Sequence, residues 1–240
     1  MPNRLAIWIL ATTAVFAVST AAFAQAAPKS QAKAPSAATQ PDLSGVWMGQ
    51  EGKVFGSFNP KEPPSLQAWA AEKFKATTRE LDPIWKCLPP GVPRILLVPQ
   101  PMEIVPIPGR VLMLSEYDHT VRQIYMDGRE HPTDPDPTWL GHYIGKWDGD
   151  TLVVDTIGLN DKTWLDYPGH PHTEALHVIE RYRRSTPDTL LLDITIDDPK
   201  TYTKPWTGQR VYKLRTDWEI LEHFACDAEV RTAQSQNPAK

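Results

Sequence analysis

The runs Leu140–Trp147 and Thr151–Ile157 flank the dipeptide Asp148-Gly149, and this arrangement constrains the fold more than any other stretch of the chain. Asp-Gly between two β-forming runs asks for a tight two-residue turn, which commits the runs to antiparallel pairing. A second hairpin is expected from Leu176–Arg184 and Thr189–Ile196 around Pro187-Asp188. In its return strand Leu190, Leu192, Ile194 and Ile196 share one face, while Leu191, Asp193 and Thr195 share the other. That alternation marks a strand with one buried side.

The same reading extends to both ends of the chain. Asp42–Gln50, Arg94–Val98, Met102–Ile107, Arg110–Tyr117 and Thr120–Met126 are expected strands before the first hairpin. Gln209–Arg215 and Trp218–Phe224 are expected strands after the second. Prolines keep Arg94–Val98 and Met102–Ile107 at edges or bends. One helix is expected after Ser65, with Leu66, Trp69, Ala70 and Phe74 at helical spacing and Ser65 as its cap. About ten short strands in sequential hairpins, with one short N-terminal helix, predict an all-β fold. It is antiparallel and closes, or nearly closes, into a barrel of the calycin kind.

Residues 1–26 read as a signal peptide: Arg4, an apolar run from Leu5 to about Phe23, then small residues in the A-x-A form. Residues 27–41 are rich in Ala, Pro, Ser, Lys and Gln and read as a flexible linker; residues 232–240 read as a disordered tail. Residues 42–231 are then one barrel domain in a periplasmic or secreted protein. The net charge of −4 argues against nucleic acid and against an anionic membrane surface. After signal cleavage no membrane association is expected. The partner expected is a small-molecule substrate or ligand; oligomeric state is not legible. In an oxidising compartment the two cysteines, Cys87 and Cys226, are expected to pair.

The chemistry-bearing residues concentrate between Glu116 and Asp198, where six of the seven histidines fall. Imidazole and carboxylate are the side chains that move protons or bind metals near neutral pH. Strand parity puts Glu116 and Arg122 with Leu112, Leu114 and Ile124, and His142 with Ile144 and Lys146. It puts Asp155 with Val153 and Ile157, and His177 with Ile179. Charged groups on an apolar face are costly unless paired or wetted, so these faces predict a polar pocket in the barrel. The bland alternative is that they face water.

His170, His172, Glu174 and His177 offer ligands suited to a divalent metal, zinc, iron or manganese. The competing reading is a capping loop whose histidines only hydrogen-bond. Acid–base chemistry without a metal assigns His142 and His172 to proton transfer, Asp166 or Glu174 to orienting an imidazole, and Arg122 to holding an oxygen. Glu116, Asp155, His177, Trp164 and Trp206 are then expected to contact substrate. Trp139 and Trp147 also fall beside loops, where covering a barrel end is their ordinary use.

Two resemblances accompany this reading. Gly45-x-Trp47 on the first strand resembles the opening of calycin barrels such as lipocalins and avidin-like proteins. Arg215, ahead of Thr216-Asp217-Trp218, is similar to the late arginine those barrels pack over the tryptophan. More broadly, Glu116–Tyr125, Asp127-Gly-Arg-Glu-His-Pro132, Trp147–Thr156 and Pro171-His-Thr-Glu174 look like an uncharacterised family of secreted bacterial β-rich proteins. That resemblance implies a secreted single domain and brings no activity with it. The residues favour an enzyme acting on a small organic molecule, of lyase, hydratase, isomerase or hydrolase type. The alternatives are a non-catalytic calycin-type binder and a structural protein of the envelope.

Overall fold

The computed structural model describes residues 40–50 and 62–223. Within them the strands are β1 (Gly45–Gly49), β2 (Met102–Ile107), β3 (Arg110–Ser115), β4 (Thr120–Tyr125) and β5 (His142–Asp148). β6 (Thr151–Ile157), β7 (His177–Thr186), β8 (Thr189–Asp197) and β9 (Trp206–Leu214) complete the set. They hydrogen-bond in sequence order, and β9 closes on β1 through Trp47 opposite Leu214, giving a closed nine-stranded barrel. Gly149, at φ 61°, takes the left-handed position that the β5–β6 turn requires.

The barrel is mixed rather than wholly antiparallel. β4 and β5 run parallel and meet at one residue pair, Tyr125 and Ile144. A hairpin would have made them antiparallel. Instead the proline-rich connection through Pro132, Pro135 and Pro137 carries the chain back along the wall, so β5 starts from the same end as β4.

The expected strand Arg94–Val98 is instead a 3₁₀ turn, Arg94–Leu96, whose three residues are buried. A short apolar run bounded by proline reads equally well as a strand or as a buried plug, and burial on every side selected the second. This crossing fills the barrel: the Tyr212 hydroxyl donates to the Leu96 carbonyl at 2.8 Å and Arg210 donates to Val98 at 3.1 Å. Gly49 leaves the space for Arg210, since a Cβ there would collide with the guanidinium. The helix α1 (Ala68–Lys75) starts later than Ser65, with Gln67 at its N-cap and no side-chain cap. Residues 218–223 form no strand, and Phe224 lies outside the described residues.

The interior is apolar and dense. Trp47, Ile104, Ile124, Leu152, Val154, Val178, Leu190, Leu192 and Ile196 are fully buried, so the face expected of β8 does point inward. Trp47 is covered by Arg184, at 5.3 Å, where the calycin resemblance expected Arg215; Arg215 instead lies 3.5 Å over Trp218. Among the described residues no helix is long and apolar enough to cross a membrane.

The proposed signal peptide, most of the linker and the C-terminal tail lie outside the described residues. So does Cys226. No disulfide therefore joins two described residues, and no free cysteine is found among them.

Candidate active site

The inward faces differ by one residue from the faces that parity suggested. In β3 the buried residues are Val111, Met113 and Ser115, so Leu112 and Leu114 point outward. The tight turn Tyr117–His119 breaks the alternation, with Asp118 at φ 54° and His119 at φ 46°. Arg122 and Ile124 therefore face inward while Glu116 and Asp118 do not. Glu116 accepts a hydrogen bond from the backbone of Leu221 at the surface. Tyr143 turns inward on β5, Leu152, Val154 and Thr156 on β6, and Val178, Glu180 and Tyr182 on β7. His142, Asp155 and His177 consequently lie on the outer wall. The expected common hollow holding Glu116, Arg122, His142, Asp155 and His177 is not what the chain builds.

The charge inside the barrel is a pair, Arg122 with Glu180. Arg122 is 2% exposed and Glu180 0%. Two hydrogen bonds join them, at 3.0 and 2.5 Å, and the Tyr182 hydroxyl donates to the same carboxylate at 2.5 Å. The guanidinium lies 4.6 Å from the Tyr143 ring. Burial opposes charge on Arg122, but the Glu180 carboxylate outweighs it and holds the guanidinium's pKa well above its ordinary value. Burial also pushes the Tyr143 phenol up to about 12, which keeps it neutral. Arg122 is thus committed to an ion pair. Glu180 is not among the expected site residues, although it alternates with Val178 and Tyr182 on the inward face of β7.

The loop between β6 and β7 separates the residues expected to act together. Asp166, fully buried, accepts from the backbone of Gly169 and His170 at 3.2 Å each. It also accepts from His170 Nδ1 at 2.8 Å. The His170 ring stacks on Phe74 of α1 at 4.1 Å and meets the edge of Trp206 at 4.9 Å. Trp206 donates from its indole to the Glu62 carbonyl at 2.8 Å. Trp164 is half-buried, with Arg94 5.6 Å from its ring. Arg94 in turn is held by Asp82 at 2.7 Å in a second buried ion pair.

His172 is 1% exposed. Its Nδ1 faces the Thr173 carbonyl at 3.2 Å, and a carbonyl only accepts, so Nδ1 carries the hydrogen. Nε2 then accepts from the Thr163 hydroxyl at 2.7 Å. Burial holds this imidazole below its ordinary 6.5. A histidine depressed in the folded state stabilises the fold above 6.5 and withdraws that stability as pH falls. His172→Gln is therefore expected to flatten the loss of stability between about pH 7.5 and about pH 5.5, read as urea midpoints at both values.

His170, His172, Glu174 and His177 do not converge. The first two take the partners just described, Glu174 is exposed, and His177 faces Asp155 on the outer wall. Among the described residues no group of three or more His, Cys, Asp or Glu is placed to hold a metal ion.

What does converge is a constellation on the outer wall where β5, β6 and β7 meet the β4–β5 connection. Asp155 Oδ1 faces His177 Nε2 at 2.6 Å and His131 Nε2 at 3.2 Å. His131 Nδ1 faces His142 Nδ1 at 2.8 Å. His142 lies flat against Tyr125, with centroids 6.1 Å apart, and the Arg129 guanidinium is 3.8 Å from that Tyr125 ring. On the sheet Asp155 is flanked by its register partners, Ile144 and Ile179. His131 reaches the group because its connection is pinned at Thr138, which bridges Leu159 and accepts from the Gly141 N–H at 2.8 Å. Nothing in the alternation of the strands could have placed His131, since it belongs to a loop.

The electrostatics of this group are graded. Burial works against charge on Asp155, yet hydrogen bonds from His177 and His131 hold its pKa below the ordinary carboxylate value. The Asp155 hydrogen bond raises His177 above 6.5. Burial first, then the neighbouring His131 and Arg129, lowers His142 below 6.5.

No protein-family model matches the chain, and no curated protein does. The comparisons give it no family. The site therefore rests on its own geometry: a barrel whose wall and capping loop carry paired imidazoles and carboxylates, an arrangement consistent with an active site.

Proposed function

We propose that the chain is a secreted or periplasmic enzyme that acts on a small organic molecule by imidazole acid–base chemistry. The observation that carries this reading is the set of contacts on Asp155: two imidazoles on one carboxylate oxygen, one of them relaying to His142. A carboxylate only accepts, so His131 carries its hydrogen on Nε2 and, when neutral, presents Nδ1 as an acceptor. His142 then donates from Nδ1 and keeps a lone pair on Nε2, which takes no hydrogen bond from a described residue. His142 is the base and its lowered pKa keeps it unprotonated. His177, raised by Asp155, is the acid. Two titratable groups pushed apart in this way are the ordinary signature of an acid–base pair.

The chemistry this supports is abstraction of a proton by His142 and delivery of one by His177, as a lyase, hydratase or isomerase requires. A hydrolase would use the same base on water. Asp166 and His170 are a less favourable centre, because the His170 ring is packed by Phe74 and Trp206. A calycin-type binder holding its ligand in the lumen has weaker support, since the plug and the Arg122–Glu180 pair fill the described interior.

The test needs no known substrate. Purified protein is incubated in D₂O with pooled small carbonyl and hydroxy acids, and mass spectrometry reads deuterium uptake or gain and loss of water. His142→Gln is expected to lower the rate about 10²–10⁴-fold with an unchanged urea midpoint. Full turnover in both His142→Gln and His177→Gln would refute the assignment.

A further inference from the structure

A separate feature lies inside the barrel, where the Arg94–Val98 crossing meets β2, β3, β4 and β9. A cavity of about 10 Å³ is lined there by Leu96, Gln100, Met113, Ser115, Arg122 and Tyr212, among others. Two buried polar atoms of its lining residues have no hydrogen-bond partner among the described residues: Arg122 Nε and Gln100 Oε1. One is a donor and the other an acceptor. Leaving either unpaired in a low-dielectric interior sacrifices most of the hydration it had in the unfolded chain.

Gln100 Nε2 meets His223 Nε2 at 3.4 Å, and when that imidazole nitrogen accepts, the amide turns Oε1 away from His223. The two remaining guanidinium nitrogens of Arg122 are taken by Glu180. That pairing also decides the ligand. Arg122 is already neutralised by Glu180, so an anion gains little, and its free Nε–H is a donor that offers a cation no lone pair. A hollow of this size takes one water-sized occupant.

We infer that this cavity is a binding site for a single resident water. It accepts from Arg122 Nε–H and donates to Gln100 Oε1, and the Ser115 hydroxyl supplies a third partner. The water completes the hydrogen bonding of the internal ion pair. Through Gln100 and His223 it also ties that pair to the segment that follows β9.

Two measurements on the full chain test the site. A crystal structure at a resolution that orders surface waters is expected to show one density peak within hydrogen-bond distance of Arg122 Nε. Oxygen-17 relaxation dispersion is expected to count one fewer long-lived water in Ser115→Val, whose methyl groups occupy the space. A dry cavity in the wild-type crystal, or a Gln100 amide turned directly onto Arg122, overturns the inference; so does an unchanged water count in Ser115→Val. Should that variant fail to fold, Gln100→Leu reads the same loss, and the wild-type density decides independently.

Discussion

Glu180→Leu is expected to destabilise the barrel by about 3–5 kcal/mol, because it leaves the Arg122 guanidinium buried without a counter-charge. At about 2–4 °C per kcal/mol for a domain of this size, the melting temperature should fall by roughly 10 °C. Arg122 is 2% exposed and sits between β3 and β5, so it has no short route to solvent. The Tyr182 hydroxyl would also lose its acceptor. The double variant Arg122→Met with Glu180→Leu separates pair energy from packing. Both replacements are apolar and close in volume, so neither charge remains to be compensated, and the pair with its hydrogen bonds is exchanged for ordinary core contacts. It is expected to recover most of the loss and to match or exceed the parent, as buried ion pairs replaced by apolar groups often do. Urea midpoints at constant m-value measure both variants. A single variant within about 1 kcal/mol of the parent would mean that Arg122 is solvated in the folded state.

The same pair shows what the sequence could and could not reveal. Alternation in β8 was legible because Leu190, Leu192, Ile194 and Ile196 leave one answer. β6 has apolar residues on both faces, with Leu152 and Val154 inside and Val153 outside, so its parity was open. There the neighbouring strands had to decide, and a shift of one residue exchanges every inward and outward side chain. The break at Asp118 and His119 is a backbone event without a glycine to announce it. The plug at Arg94–Leu96 departs from the expected strand because an apolar run carries no period that separates a strand from a buried turn.

The candidate site was legible in its residue types and not in its assembly. His142, Asp155 and His177 stand out by residue type, but they lie on the outer wall and not on the expected inner one. His131 was visible only as a histidine in a proline-rich loop. Its meeting with Asp155, 24 residues away, depends on the path of that loop and not on local pattern. Asp166 and His172 are neighbours in sequence, yet each satisfies its own loop contacts, Asp166 with His170 and His172 with Thr163.

Asp155→Asn is expected to lower turnover about 10²–10⁴-fold while leaving the barrel folded. The substitution acts through tautomers, since the side chain changes little in shape. An ionised carboxylate forces hydrogen onto Nε2 of both His131 and His177. An amide can instead offer its NH₂ to His131 Nε2, which moves the His131 hydrogen to Nδ1. His142 must then accept at Nδ1 and carry its hydrogen on Nε2, where the base needs a lone pair. The relay 2.8 Å long would thus transmit the wrong state to the reacting atom. At the same time His177 loses the hydrogen bond that raises it and should titrate closer to 6.5. Its stabilising pairing is fully present below 6.5 and fades as pH rises through the raised value; that of Asp155 is present above 3.8 and fades as pH falls through the lowered one. Between those limits the pair holds the wall together in the parent alone. Because both groups are partly solvated, the variant should lose no more than about 1 kcal/mol there. Nitrogen-15 chemical shifts of the imidazoles, followed from acid to neutral pH, read the tautomers and the His177 titration directly. A variant that keeps the parent tautomer of His142 and the parent titration of His177 would show that Asp155 does not govern the site, whatever its turnover.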